Sequence, residues 1–148
     1  PVFAQGLVYA VKPYESLTAI RPGGLGDVTE THIAWAIEGV MPDICSPVTN
    51  GELLFVLETE GILTCYDAKN GERIWEEDLA NTFMASPSLV LGKIYLTAED
   101  GSTVIIKAAR QYVELGKAEL GETVKASLAF HSARIYMRGS EHLYCIAR

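Results

Sequence analysis

The chain has 148 residues, 49% apolar and 21% charged, a balance that supports a folded core and excludes a disordered segment. Its net charge is −7 and its twelve Lys and Arg are scattered, which argues against a nucleic-acid backbone or an anionic membrane surface as partner. No apolar run approaches the roughly 18 residues of a membrane-spanning helix.

From residue 1, short β-forming runs bounded by turn residues predict strands near 1–5, 7–12, 16–21 and 32–37. Four more follow near 44–49, 52–58, 62–67 and 72–77. In this second group Thr59-Glu60-Gly61 reads as a tight turn, and Asn70-Gly71 as a type I′ hairpin turn, which needs positive φ. A third group is expected near 84–90, 93–98, 102–107 and 111–115, with the turn Lys107-Ala108-Ala109-Arg110 lacking Asp and Gly. Strands near 125–130, 134–138 and 142–147 complete fifteen.

The groups repeat with a period of about 40 residues, the spacing of propeller blades. Trp35 recurs as Trp75, and Leu115 stands where the third Trp is expected. Ser46-Pro47 recurs as Ser86-Pro87 and, altered, as Ser127-Leu128. Aromatic residues align at Tyr9, Phe55, Tyr95 and Tyr136, and small or apolar ones at Ala19, Cys65, Ile105 and Cys145. Pro1 and Pro47 lie 46 apart but Trp35 and Trp75 only 40, so the first unit carries about six extra residues, placed in Pro22-Gly23-Gly24-Leu25-Gly26-Asp27. The third strand of the second unit alternates Leu63 and Cys65 with Thr64 and Tyr66, and apolar character on both faces fits a sheet stacked between neighbours. The expected fold is all-β: a propeller segment of about four blades of four antiparallel strands, the last incomplete. The blades fall near 1–40, 41–80, 81–120 and 121–148 of one domain spanning 1–148, cut from a longer protein.

Three cysteines, Cys45, Cys65 and Cys145, form no CxxC pair and are expected as buried free thiols. His131 and His142 are expected in solvated turns. Glu76-Glu77-Asp78 is expected to discourage edge-to-edge pairing of an outer strand.

Tyr66-Asp67-Ala68-Lys69-Asn70-Gly71-Glu72-Arg73-Ile74-Trp75 resembles the repeat of the PQQ-like β-propeller family, and the Ser-Pro pairs are also typical of it. The resemblance implies a C-terminal portion of a larger, bacterial, exported propeller, with a periplasmic or other extracytoplasmic location. Within that family, quinoprotein dehydrogenases hold pyrroloquinoline quinone and Ca²⁺, whereas BamB-type proteins use the repeat as a binding scaffold. The vicinal Cys-Cys pair that covers the quinone in many dehydrogenases is missing here, and no Glu/Asn/Asp trio stands out for Ca²⁺, so no cofactor is expected. Trp35, Asp67, Gly71 and Trp75 have structural roles in this reading: the indoles pack on the adjacent blade and donate to a carbonyl, Asp67 caps its own turn, and Gly71 supplies positive φ.

The one local candidate for ligand or partner contact is the inserted loop, with Gly23, Gly24, Gly26, Asp27, Thr29, Glu30 and His32. Its glycines allow close approach and its side chains offer oxygen and imidazole donors, although Asp27 and Thr29 can equally tie down their own backbone. The functional expectation is a non-catalytic scaffold for a protein or extracytoplasmic ligand; the alternative is part of a quinoprotein dehydrogenase or another propeller enzyme. A four-blade piece leaves two apolar flanks, so the expected partner is the rest of a propeller or a second copy closing an eight-bladed ring.

Overall fold

The computed structural model describes residues 1–39 and 41–147. Among the described residues fifteen strands form four antiparallel sheets, with no helix. Strands β1 (Val2–Ala4), β2 (Leu7–Lys12), β3 (Ser16–Ile20) and β4 (Ile33–Glu38) pair in that order as the first blade. The second blade is β5 (Val48–Thr49), β6 (Leu53–Leu57), β7 (Ile62–Asp67) and β8 (Arg73–Asp78). The third is β9 (Ser88–Val90), β10 (Lys93–Thr97), β11 (Ser102–Lys107) and β12 (Glu114–Glu119). The fourth is β13 (Ala129–His131), β14 (Arg134–Arg138) and β15 (Leu143–Ile146). Each is a meander of neighbours in sequence, and the first strands β1, β5 and β9 contact one another from blade to blade.

Alternation within each strand sends side chains into two different cores. Every residue of β6 is buried. Leu53, Phe55 and Leu57 meet Ile94, Leu96 and Ile106 of the third blade, while Leu54 and Val56 meet Tyr9, Leu17 and Ala19 of the first. A fully buried Phe or Leu contributes about 1.5–3 kcal/mol, so the two-sided second blade is the best-anchored sheet. β15 keeps the same pattern but lacks a neighbour on one side, and Leu143, Cys145 and Ile146 are exposed.

The structure corrects several expectations. The Trp column falls on Gly116, which lies opposite Ile105 as Trp75 lies opposite Cys65 and Trp35 opposite Ala19. The third-to-fourth turn of that blade is one residue longer, which moves β12 to Glu114–Glu119 and displaces Leu115 from the column. Asn70-Gly71 is not a two-residue type I′ turn. Only Gly71 has positive φ (75°), and its N–H closes a five-residue turn onto the Asp67 carbonyl at 2.9 Å. Paired positive φ occurs instead at Gln5-Gly6, Leu91-Gly92 and Ser132-Ala133, the first-to-second hairpins. Cys145 is exposed, unlike Cys45 and Cys65, because no sheet covers its face.

Candidate functional site

Antiparallel meanders put their loops at two opposite ends. One end carries the first-to-second hairpins and the third-to-fourth turns, including the inserted loop. The other carries the second-to-third hairpins and the connections from one blade to the next.

The inserted loop spends its polar groups on itself. An Asp27 carboxylate oxygen accepts the Thr29 N–H at 3.0 Å, and this bond holds the Asp27 carboxyl below its ordinary pKa. The Thr31 and His32 N–H groups both donate to the Val28 carbonyl, at 3.1 and 3.0 Å. The Thr31 hydroxyl lies 2.8 Å from His32 Nδ1. The His32 ring packs over Gly24, where a Cβ would come within 2.7 Å of Nε2, so Gly24 is required by contact as well as by its φ of 85°. Gly23, Gly26 and Glu30 are exposed, and Leu25 at the tip is 98% exposed. The loop therefore gathers Asp27, Thr29 and His32 into a self-bonded hairpin rather than aiming them at one point.

Trp35, Asp67, Gly71 and Trp75 lie at the blade junctions. The Trp35 indole N–H donates to the Ala68 carbonyl at 3.3 Å, and Trp75 repeats this with Ala109 at 3.1 Å. The Trp35 ring lies on Gly71, where a Cβ would approach to 2.8 Å, and Trp75 lies edge-on to Tyr112. Asp67 caps the Lys69 N–H at 3.0 Å and accepts from Arg110 of the next blade at 3.0 Å; the Arg110 bond is the main reason its carboxyl sits below the usual range. Nearer the axis, the Ser46 N–H donates to Ser86 Oγ at 2.9 Å and the Ser86 N–H to Ser127 Oγ at 3.0 Å.

Sequence reasoning missed Glu122. Its carboxylate accepts from the Tyr144 hydroxyl, from the Glu141 and His142 N–H groups at 3.0 and 3.3 Å, and pairs with the His142 imidazole. Those donors, the Tyr144 hydroxyl foremost, hold its pKa down to about 2. His142 is thus tied to the blade connection as well as being solvent-exposed, which corrects its expectation as a merely solvated turn residue. The signal lay in the repeat: Asn81 occupies the same column one blade earlier and reaches Asp100 and Ser102 at 2.9 and 3.2 Å. Beside Glu122 is a cavity of about 370 Å³ lined by Thr123, Lys125, Ala126, Arg138, Gly139 and Ser140.

A quinone site with Ca²⁺ needs convergent oxygen donors. Among the described residues no three Asp, Glu, His or Cys side chains converge in that way, and the three cysteines lie apart in sequence on three different blades or connections. The donors of this chain do not fit the group.

The family model described as "Outer membrane protein assembly factor BamB" matches residues 32–146. The chain belongs to this family of PQQ-like propellers. Among solved structures it is similar to BamB from Moraxella catarrhalis, with a TM-score of 0.75 and 15% identity, covering 98% of this chain and 41% of that one. It is also similar to the quinohemoprotein alcohol dehydrogenase ADHIIG from Pseudomonas putida HK5, with a TM-score of 0.70 and 15% identity over 93% of this chain and 27% of that one. The computationally designed Ika4 protein matches with a TM-score of 0.72 at 10% identity, covering 98% of this chain and 87% of its own. The chain thus spans less than half the length of the BamB and dehydrogenase chains. No curated protein matches it by sequence. At these identities the likenesses establish the fold, and they fit a scaffold and an enzyme equally.

Proposed function

We propose that this chain is a non-catalytic propeller scaffold of a bacterial envelope, presenting its blade-connecting loops to a protein partner outside the cytoplasm. The observation that carries the proposal is where the polar side chains go. Asp27, Asp67, Asn81, Asp100 and Glu122 are each bonded to backbone N–H groups or to a neighbouring turn. Acceptors so committed build stiff loops, which suit recognition of a surface. The family name, with its reference to the outer membrane, supports an extracytoplasmic location. Calorimetry with Ca²⁺, together with dye reduction in the presence of added pyrroloquinoline quinone, tests the proposal. Neither binding nor turnover is expected, and quinone-dependent turnover would replace the scaffold with a quinoprotein dehydrogenase, the alternative that the likeness to ADHIIG fits equally.

The same reading extends to assembly. The outward faces of the first and fourth blades have no sheet against them within the described residues and include the exposed Phe3, Ile33, Leu143 and Cys145. The rest of a propeller covers these faces, or, if this chain stands alone, a second copy arranged head to tail about a two-fold axis, which closes eight blades. For residues 1–148 alone, light scattering at micromolar concentration is expected to give twice the chain mass, and a stable monomer rules the two-copy ring out.

A further inference from the structure

The groove between the first and second blades differs from its counterpart one blade further on. Strand register places Glu58, Thr64 and Tyr66 of the second blade in the columns that Ala98, Val104 and Ile106 occupy in the third. Ala98 and Ile106 are buried in the apolar core between the second and third blades, so the repeat itself calls for no polar group at these positions. The outer strands differ too. Arg73 and Glu76 pair at 2.9 Å on β8, and the same columns of β12 carry the pair reversed, as Glu114 and Lys117 at 3.4 Å. The second blade thus turns a carboxylate, a hydroxyl and a phenol toward the first, where the third blade turns hydrocarbon toward the second.

These side chains line a cavity of about 290 Å³ together with Ile37 and Met41. It lies between two sheets that are both present, away from the uncovered faces of the first and fourth blades. Tyr66 is only 8% exposed, and its hydroxyl makes no hydrogen bond of ordinary geometry to a described residue. Burial is the main cause of its raised pKa; Thr64 and Arg73 oppose the rise and Glu58 and Glu76 add to it, so the hydroxyl sits among these groups. The Thr64 hydroxyl is already donated to Glu76, at 3.4 Å. The Glu58 carboxylate is half-buried and, among the described residues, meets no cation and accepts no hydrogen bond. Burial, then the charges of Glu60 and Glu76, push its carboxyl up. The groove therefore holds acceptors in want of donors. They do not converge on one point: among the described residues no three Asp, Glu, His or Cys side chains could share a metal ion. A compact ammonium also serves acceptors around a single point, whereas a guanidinium spreads five N–H groups over a planar fork and reaches acceptors set apart.

We propose that the groove between the first two blades binds one arginine side chain of a partner protein. The guanidinium donates to the Glu58 carboxylate and to the Tyr66 phenol oxygen, and the methylene stem lies along Ile37 and Met41. The one cation lining the cavity among the described residues, Arg73, is committed to Glu76. Nothing there receives the α-carboxylate of a free amino acid, which Glu58 and Glu60 repel, so the arginine arrives within a chain. This rests on the scaffold reading and names the residue by which the partner is held.

The probe is N-acetyl-arginine amide, titrated into the chain at low salt while the backbone amide signals of Glu58, Thr64, Tyr66 and Glu76 are followed by NMR. Saturable shifts at these amides are expected. N-acetyl-citrulline amide, of the same shape without the charge, and Nα-acetyl-lysine amide should each bind about fivefold more weakly or less. Free arginine should also bind more weakly than the amide. E58Q is expected to weaken binding about fivefold and Y66F about threefold. E52Q, an exposed carboxylate at the opposite end of β6, should leave it unchanged. Glu58 has no bond to lose, so E58Q keeps the fold and the test does not hang on Y66F alone. No saturation at tens of millimolar probe, or binding indifferent to Glu58, overturns the proposal. Equal binding of the citrulline or lysine amide overturns the guanidinium, and equal binding of free arginine overturns the partner chain as its source. The Ca²⁺ and quinone measurements decide the scaffold reading separately, so the two can fail independently.

Discussion

The second and fourth blades carry the same sequence columns in opposite surroundings. Leu53, Phe55, Leu57, Leu63 and Cys65 are all at most 2% exposed, whereas Arg134, Arg138, Leu143 and Cys145 at the matching positions are exposed and Tyr136 is only half-buried. Blade-forming pattern and burial are therefore separate properties. The pattern makes four hairpin-linked strands, and a neighbour on each side makes a core. Where the fourth blade departs from the pattern, it does so with cations on the face that lacks a neighbour.

The strongest way to break the comparison is to remove matched aromatics. Phe55→Ala is expected to cost about 3–5 kcal/mol in urea unfolding and Tyr136→Ala less than about 1 kcal/mol, since only the first leaves a cavity between two sheets. Equal costs would mean that the outward face of the fourth blade is covered in solution.

Glycines sharpen the comparison at the next size of effect. Gly101 and Gly121 have nearly the same φ, 87° and 83°, but a Cβ at Gly101 would sit 2.1 Å from the Glu122 carbonyl oxygen, while Gly121 faces open space. Gly121→Ala is expected to cost about 1 kcal/mol from backbone strain alone. Gly101→Ala is expected to cost a further 1–3 kcal/mol, roughly, because the connection into the fourth blade must move. Thermal melts of the two variants measure the difference.

Acid tests the same junction more gently. Glu122 is lowered from 4.5 to about 2 in the folded chain. A carboxyl lowered in this way stabilises the fold above its unfolded pKa and loses that contribution as pH falls through the folded value. Docking of the fourth blade is thus expected to weaken between about pH 4.5 and 2, with E122Q flattening the profile, read by Tyr144 fluorescence or hydrogen exchange in β15. The smallest perturbation is chemical labelling. Burial pushes the Cys45 and Cys65 thiols up to about 11 and about 12, so at neutral pH a thiol reagent should modify Cys145 first, with no change in stability.

Much of this architecture was legible because its signals are local. Strand number, the six-residue insertion and the partners of the Trp indoles follow from β-forming runs, offsets and the need of an indole N–H for an acceptor. The turns were less legible. Asn70-Gly71 carries the dipeptide of a type I′ turn, yet Asp67 draws the chain into a longer loop by capping the Lys69 N–H, so glycine alone takes positive φ. Gly116 was hidden because a single added residue shifts a column without altering composition. Glu122 was hidden for another reason: it shares the column of Asn81 but not its residue type, and its partners lie 19 to 22 residues away in the next blade. The inserted loop attracted notice through unusual composition, and the structure shows that composition serving the loop's own backbone.

Four of the contacts between blades share a direction. The Trp35 and Trp75 indoles and the Ser46 and Ser86 N–H groups all donate forward, from one blade to the next, across 33 to 41 residues of sequence. A blade emerging from the ribosome therefore holds donors whose acceptors have not yet been made. Its junction closes only when the following blade has been synthesised and folded. Maturation along such a chain is retrospective, each new blade fixing the one before it, and the smallest cooperative unit is a pair of blades rather than a single sheet.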